Sequence, residues 1–228
     1  MTRFAAVADV HGNRWALEAA AEDIEREGIR DVLNLGDHLS GPLDVDGTAQ
    51  LLMRLDWPGV SGNQDRELAE AGSPHSAWLA SFPLTRELPG ILMFHGTPAA
   101  DNVYLPETVH PGGVSLATSA EIAARLGSVE PPLLLCGHTH IPRVVHCGRH
   151  LIVNPGSVGL QAYADDAPLP HLMETGSPHA RYAILEADGA DWRVDLRTIR
   201  YDWESAARFA ARNQREDWAF RLRTGRAR

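Results

Sequence analysis

Five apolar runs in this chain each stop at a residue able to bind a cation, and no other feature narrows the possible folds as far. "AAVADVHGN" closes in Asp9 and His11, "LNLGDH" in Asp37 and His38, "GVSGNQD" in Asn63, "ILMFHG" in His95 and "LLLCGHTH" in His138 and His140. Each has an ordinary explanation when taken alone: Asp9 as a helix N-cap, Asp37 as a turn residue after Gly36, Asn63 as a left-handed turn residue, His95 as a satisfied core histidine. Turn formation does not call for His or Asp at five strand ends. In open α/β sheets ligands gather outside the carboxyl ends of the strands, so these loops are expected to converge on one crevice.

Between the runs the chain alternates. "RFAAVA" (3–8) reads as a strand, and about Asn13 to Glu27 as a helix with Leu17, Ala20, Ala21 and Ile24 at helical spacing. "DVLNLG" reads as a second strand, Thr48 to Leu55 as a helix, "GVSGN" as a short third strand and Gln64 to Ala71 as a third helix. Hairpins are expected at Pro89-Gly90, Cys147-Gly148 and Asp188-Gly189, and amphipathic helices over Trp203 to Asn213 and Glu216 to Arg223. The pattern predicts an α/β chain with a mixed, mostly two-sheet core and helices outside. At 228 residues a single domain is the expectation, and the segment 160–179, with its three prolines, reads as one long structureless loop serving as a lid or mobile segment.

A net charge of −9 argues against a broad grip on nucleic acid, which needs a basic surface. The basic exception, "RLRTGRAR" at the end, reads as a solvated helix terminus. No apolar run approaches the ~20 residues of a membrane span, and "MTRFAAVADVHGN" lacks the apolar core of a signal peptide, so a cytoplasmic location is expected. Cys136 and Cys147 are expected to be reduced thiols.

Asp, His and Asn together offer hard oxygen and borderline nitrogen donors, a set suited to Mn, Fe, Zn, Co or Ni, with Mn favoured. Two ions about 3.5–4 Å apart need a shared carboxylate and generate a nucleophile from water at neutral pH. Asp37 is the natural bridge. Two divalent ions, two carboxylates and a hydroxide leave such a pocket at about +1 inside an acidic protein, so it would attract phosphate. Residues two apart in an extended segment point the same way, which would aim both His138 and His140 into the crevice.

The ordered set D-x-H (Asp9, His11), G-D (Gly36, Asp37), G-N-x-D (Gly62, Asn63, Asp65), H-G (His95, Gly96) and G-H-T-H (Gly137 to His140) resembles the calcineurin-like metallophosphoesterases. "DVHGNRWALEAA", "FHGTP", "NPGSVG", "RYAILEAD" and "IRYDWESA" are similar to their small prokaryotic phosphodiesterase branch. The resemblance implies a four-layer α/β/β/α sandwich of two mixed sheets with a dinuclear metal site at the strand C-terminal edge. It implies Asp9, His11, Asp37 and His140 on one ion, and Asp37, Asn63, His95 and His138 on the other. The implied reaction is in-line attack on phosphorus by a metal-bridging hydroxide.

One departure concerns the residue after Asn63, His in many relatives and Gln64 here. Glutamine donates a hydrogen bond but no proton, so general-acid help must come from elsewhere, with His38 as a candidate. Asp37, Asn63, His11 and His38 are thus the candidate catalytic residues. Asn13, Arg14, Gln64 and Tyr104 are the candidate substrate contacts, and Tyr163 is a candidate surface for a base. His75, His110, His146, His150, His171 and His179 fall outside the motifs. The expected substrate is small and phosphorylated, a nucleotide above all. A phosphomonoesterase, a protein phosphatase of this fold and a non-catalytic metal-binding interaction module are the alternatives.

Overall fold

The computed structural model describes residues 2–189 and 191–228. The chain begins β1 (Arg3–Val7), α1 (Arg14–Arg26), β2 (Val32–Asn34), α2 (Val45–Leu55), α3 (Asn63–Glu70) and α4 (Ser76–Leu79). It continues β3 (Thr85–Leu88), β4 (Ile91–Phe94), β5 (Glu107–His110), β6 (Gly113–Leu116), α5 (Ser119–Leu126) and β7 (Leu133–Leu135). The last elements are β8 (Arg143–Cys147), β9 (His150–Asn154), β10 (Ala162–Asp165), β11 (His171–Glu174), β12 (Ala180–Asp188), β13 (Asp191–Ile199), α6 (Trp203–Arg212) and α7 (Glu216–Thr224).

Two main sheets form, in the orders β13-β12-β1-β2 and β3-β4-β7-β9-β8. Strand alternation divides their side chains among three cores. Phe4, Ala6 and Ala8 turn one way and, with Leu33 and Leu35, meet Ile91, Met93, Leu133, Leu135 and Val153 of the other sheet. Ala5 and Val7 turn the other way, onto Leu17, Ala20 and Ile24 of α1 and the alanines of α6. Leu92, Phe94, Leu134 and Ile152 face Ile122 and Leu126 of α5. The result is the expected α/β/β/α arrangement of two mixed sheets. Covering both faces of the second sheet is why β4, β7 and β9 read as continuous apolar runs rather than alternating ones.

β1 pairs parallel with β2, and β4 parallel with β7, so within each sheet the loops that follow these strands leave the same edge. Asn13 ends the first of those loops by capping α1, its Oδ1 accepting the Ala16 N–H at 3.2 Å.

Several expectations need correction. "GVSGN" is not a strand; it contributes one bridge, Asn34 to Gly59, before turning into α3. The segment 160–179 is not structureless, because β10 and β11 pair antiparallel from Ala162–Glu174 to Asp165–His171. The β8–β9 hairpin turns at Gly148-Arg149, one residue later than expected. The β5–β6 hairpin, α4 and α5 are elements that the sequence pattern does not predict. Among the described residues no helix is long and apolar enough to cross a membrane.

Candidate metal centre

The loops after β1 and β2 are laced together through their backbones. Asp9 N–H donates to Gly36 O at 2.9 Å, His11 N–H to Asp37 O at 3.0 Å and Gly12 N–H to His38 O at 3.1 Å. Asp9, His11, Asp37, His138 and His140 all adopt positive φ, between 49° and 69°. Left-handed backbone at such residues costs ~1–2 kcal/mol each, and its concentration at five candidate ligands marks a place where the fold overrides local preference. His138 and His140 do share the crevice, but through these two left-handed residues, not through the extended alternation the sequence suggested.

Close loop packing depends on glycine where the third loop arrives. A Cβ on Gly62 would lie 2.1 Å from Asp37 Oδ1, and one on Gly36 would lie 2.6 Å from Gly62 N. Asp65, fully buried, ties the same turn: Oδ2 accepts from the N–H groups of Asp37 (2.8 Å) and Gly62 (2.9 Å), and Oδ1 from that of His38 (2.8 Å). The sequence supplied the G-N-x-D motif but not this task for its aspartate.

The side chains then converge. Asp9 Oδ1 lies 3.4 Å from His140 Nε2, 3.8 Å from His95 Nε2 and 4.0 Å from His11 Nε2. Asp37 Oδ2 lies 3.5 Å from His95 Nε2 and 3.8 Å from His11 Nε2. Two groups of possible ligands result, Asp9-His11-His140 and Asp9-Asp37-His95, each with its atoms within 4.8 Å of one another. Asn63 and His138 line the adjoining cavity.

Ring orientation is set from behind. His95 Nδ1 donates to Leu35 O at 2.7 Å and His140 Nδ1 to Leu160 O at 2.5 Å, while His11 Nδ1 meets Ser40 Oγ at 2.6 Å. With its other nitrogen so engaged, each ring turns Nε2 toward the cluster. His11 Nε2 and His140 Nε2 stand 3.1 Å apart, a spacing that two lone pairs tolerate only when a proton or cation lies between them. Asp9 Oδ2, Asn63 Oδ1 and His95 Nε2 are buried without a hydrogen-bond partner. Buried polar atoms are rarely left so, and oxygen and nitrogen donors turned to one point fit a divalent first-row ion.

The charge balance without an ion shows the same demand. Burial alone would pull His95 down, but the Asp37 and Asp9 carboxylates outweigh it and push the imidazole up to about 10. His11 and His138 are pulled down to about 4 by burial and by the neighbouring histidines, His140 and His95 respectively. Asp37 is held well below the usual carboxylate range: burial opposes ionisation and the surrounding histidines, His95 first, prevail.

Four candidates, His38, Asn13, Arg14 and Tyr104, lie outside the cavity lining. His38 is 1% exposed, its Nδ1 is 2.7 Å from Asp65 Oδ2, and its ring stacks on Phe82 at 4.5 Å. It lies outside the cavity lining, with Nδ1 turned to Asp65. Asn13 is fully buried, donating to Gly159 O at 2.8 Å and capping α1, so it positions the loop. Arg14 is engaged by Asp44 and Glu18, outside the cavity lining. Tyr104 sits behind Tyr163, with their hydroxyls 2.9 Å apart. Gln64 does line the cavity, its backbone N–H donating to Asp37 Oδ1 at 3.0 Å.

A profile of the calcineurin-like phosphoesterase superfamily domain matches residues 2–178, which include every candidate ligand. The chain belongs to this superfamily. It is 24% identical to the uncharacterized protein MJ0912 of Methanocaldococcus jannaschii, over 94% of both chains. Its fold is similar to a metallophosphoesterase from Sphaerobacter thermophilus (TM-score 0.76, 23% identity, 97% of this chain and 98% of that one). It is also similar to the hypothetical protein PH1004 of Pyrococcus horikoshii (TM-score 0.70, 18% identity, 99% of each).

For a calcineurin-like phosphoesterase the second wall of the cavity is informative, because part of it comes from beyond residue 178. Tyr163 and Asp165 of β10 stand on one side, and Arg215, Trp218 and Arg221 at α7 on another. The sequence reading placed Arg221 in a solvated helix end; its side chain is in fact only 13% exposed. Helical spacing relates 215, 218 and 221 to one face but does not say what that face meets.

Proposed function

We propose that this phosphoesterase is a two-metal phosphodiesterase that cleaves nucleotide-type substrates. One observation carries the reading: Asp9, His11, Asp37, His95 and His140 crowd their donor atoms together while buried acceptors among them lack a protein partner. Asp9, His11, Asp37 and His140 would hold one ion, and Asp37, Asn63, His95 and His138 the second. Asp37 would take the shared position, its Oδ2 facing both His11 and His95 and its Oδ1 tied to the Gln64 N–H, with Asp9, which belongs to both ligand groups, lying between the same histidines. Mn2+ is the first choice among Mn, Fe, Zn, Co and Ni for this donor set.

Bound divalent ions supply a nucleophile from water at neutral pH and neutralise charge on the phosphoryl oxygens. The chain's residues fix where that happens. Asp65 and Gly62 hold Asp37, and the Tyr163 side of the cavity limits how an ester can lie. The water oxygen bonds to phosphorus as the bond to the leaving oxygen breaks. Gln64 cannot protonate that oxygen, and its Nε2 is 3.3 Å from Glu67 Oε2. Esters with good leaving groups are therefore favoured. A cavity of about 460 Å³ beside the cluster has room for the second esterified group of a diester.

The test is a metal count together with hydrolysis of an activated diester, a monoester, cyclic nucleotides and dinucleoside polyphosphates, with Asp37→Asn alongside. The expected result is about two ions per chain and Mn2+-dependent diester cleavage that falls ~10³-fold or more in Asp37→Asn. Two bound ions with no turnover on any ester would replace the hydrolase with a metal-binding interaction module.

A further inference from the structure

Part of the cavity wall beside the candidate ligands is built at α7. Trp218 and Arg221 are three residues apart on one side of the helix, and Arg215 is the N-cap residue that precedes it. Trp218 is 7% exposed and anchors this side to the centre. Its ring lies 6.2 Å from that of His11, and so close to Gly41 that a Cβ there would be 2.4 Å from the indole. Position 41, in the loop after Asp37, must therefore lack a side chain for α7 to approach.

The two arginines are held differently. Arg215 lies over the Trp218 ring at 5.7 Å and makes a two-pronged pair with Asp217, at 2.8 and 2.7 Å. Arg221 has a Nε that is buried and lacks any hydrogen-bond partner, and its nearest carboxylate oxygen, Asp217 Oδ2 at 3.5 Å, is the one Arg215 already engages. Burial pulls the Arg221 guanidinium below its ordinary range. A cation removed from water is costly unless it is paired and hydrogen-bonded, and this one is incompletely paired within the chain. Asp165, the other acid of the cavity outside the ligand cluster, is exposed, with Oδ1 accepting the Ala167 N–H at 3.0 Å.

A planar guanidinium with unused donors on the wall of a cavity is matched by phosphate, which it can engage through two parallel bonds. The reacting phosphoryl group belongs at the cluster of Asp9, Asp37 and the histidines. We propose that Arg221, with Arg215 beside it, forms a subsite for a second phosphate of the substrate, so that the preferred esters carry at least one phosphate beyond the one attacked. A nucleotide bridged by a polyphosphate chain has this chemistry. The inference rests on the phosphoesterase reading of the centre and deepens it. It assigns substrate selection to residues outside the span shared with the family profile.

The experiment compares wild type, Arg221→Gln and Arg221→Lys, each loaded with Mn2+. Binding of orthophosphate and of tripolyphosphate is measured by calorimetry at fixed free Mn2+, which needs no turnover, and hydrolysis of bis(p-nitrophenyl) phosphate is followed in parallel. Loss of a charge-assisted pair should weaken tripolyphosphate about tenfold or more in Arg221→Gln. Orthophosphate affinity and kcat/KM for the single-phosphate diester should stay within about twofold, and Arg221→Lys, which keeps the charge but not the two parallel bonds, should recover only part of the tripolyphosphate affinity. The thermal midpoint of Arg221→Gln should match or exceed that of wild type, since the fold gains little from an incompletely paired cation. Equal weakening of both anions, or of neither, would overturn the subsite. Arg221-dependent tripolyphosphate binding without ester cleavage would keep the subsite and remove the hydrolase, whereas active hydrolase indifferent to Arg221 would do the reverse.

Discussion

Asp65 shows how a residue away from the donor cluster can decide whether the cluster exists. It accepts three backbone N–H groups, those of Asp37, His38 and Gly62, and lies against His38 Nδ1, all of it buried. Asp65→Ala leaves those donors without an acceptor at ~1–3 kcal/mol each, so stability should fall by at least ~3 kcal/mol. Metal affinity should fall ~10–100-fold through the loosened Asp37. Denaturant unfolding and metal titration check both. His38→Ala should behave differently from the loss of a proton donor: the rate falls as packing against Phe82 and Trp78 loosens, but the pH-rate profile keeps its shape. A lost alkaline or acid limb in that profile would return His38 to the chemistry. At this scale the ligand types were legible in the sequence because their chemistry is carried by the side chain itself. His38 misled because adjacency to Asp37 along a turn says nothing of direction, and here the ring points into an aromatic cleft.

At the scale of elements, the loop "NPGSVGL" between β9 and β10 acts as a clamp on the first ligand loop. Val158 N–H donates to Ala8 O at 2.9 Å, Gly159 N–H to Asp9 O at 3.0 Å, and Ser157 Oγ donates to Asp9 O at 2.8 Å. A Cβ on Gly159 would sit 1.8 Å from Val10 O, backbone that can yield only by moving Asp9 and His11. Gly159→Ala should therefore lower kcat ~100-fold, as expected of a misplacement near 1 Å, and reduce bound metal. Elemental analysis beside steady-state kinetics tests it; normal metal content and rate would show the loop free to shift. The sequence displayed this phrase as a family resemblance, but no periodicity reveals a clamp. The β10–β11 hairpin was hidden for a related reason, since prolines and adjacent aspartates read as loop while the pairing that orders them comes from the partner strand. Five of the helices, α1, α2, α3, α6 and α7, were legible nearly to their ends, because an apolar stripe and a cap such as Asn13 are local signals.

For the whole molecule, the centre joins two sheets that otherwise meet through apolar side chains. Asp9, His11 and Asp37 follow strands of one sheet and His95, His138 and His140 follow strands of the other, so an ion held among them closes the edge of the sandwich. Chelation should then destabilise the protein as a unit. Metal at about a thousand times its Kd contributes ~4 kcal/mol, or ~8–16 °C in midpoint for a chain of this size. The stripped protein should also show a stability maximum near pH 6.5. His95 has its folded pKa raised from 6.5 to about 10, so its contribution is full below 6.5 and lost as pH rises through 10. His11 and His138 have theirs depressed to about 4, so the stability they contribute is present above 6.5 and lost as pH falls toward 4. A metal-loaded protein would need no proton on His95, because an ion held there would supply the positive charge beside Asp37 and Asp9. The gap between the two forms should therefore widen from pH 6.5 toward 10 in paired thermal scans. A constant gap across that range would mean that His95 does not share its site with the ion.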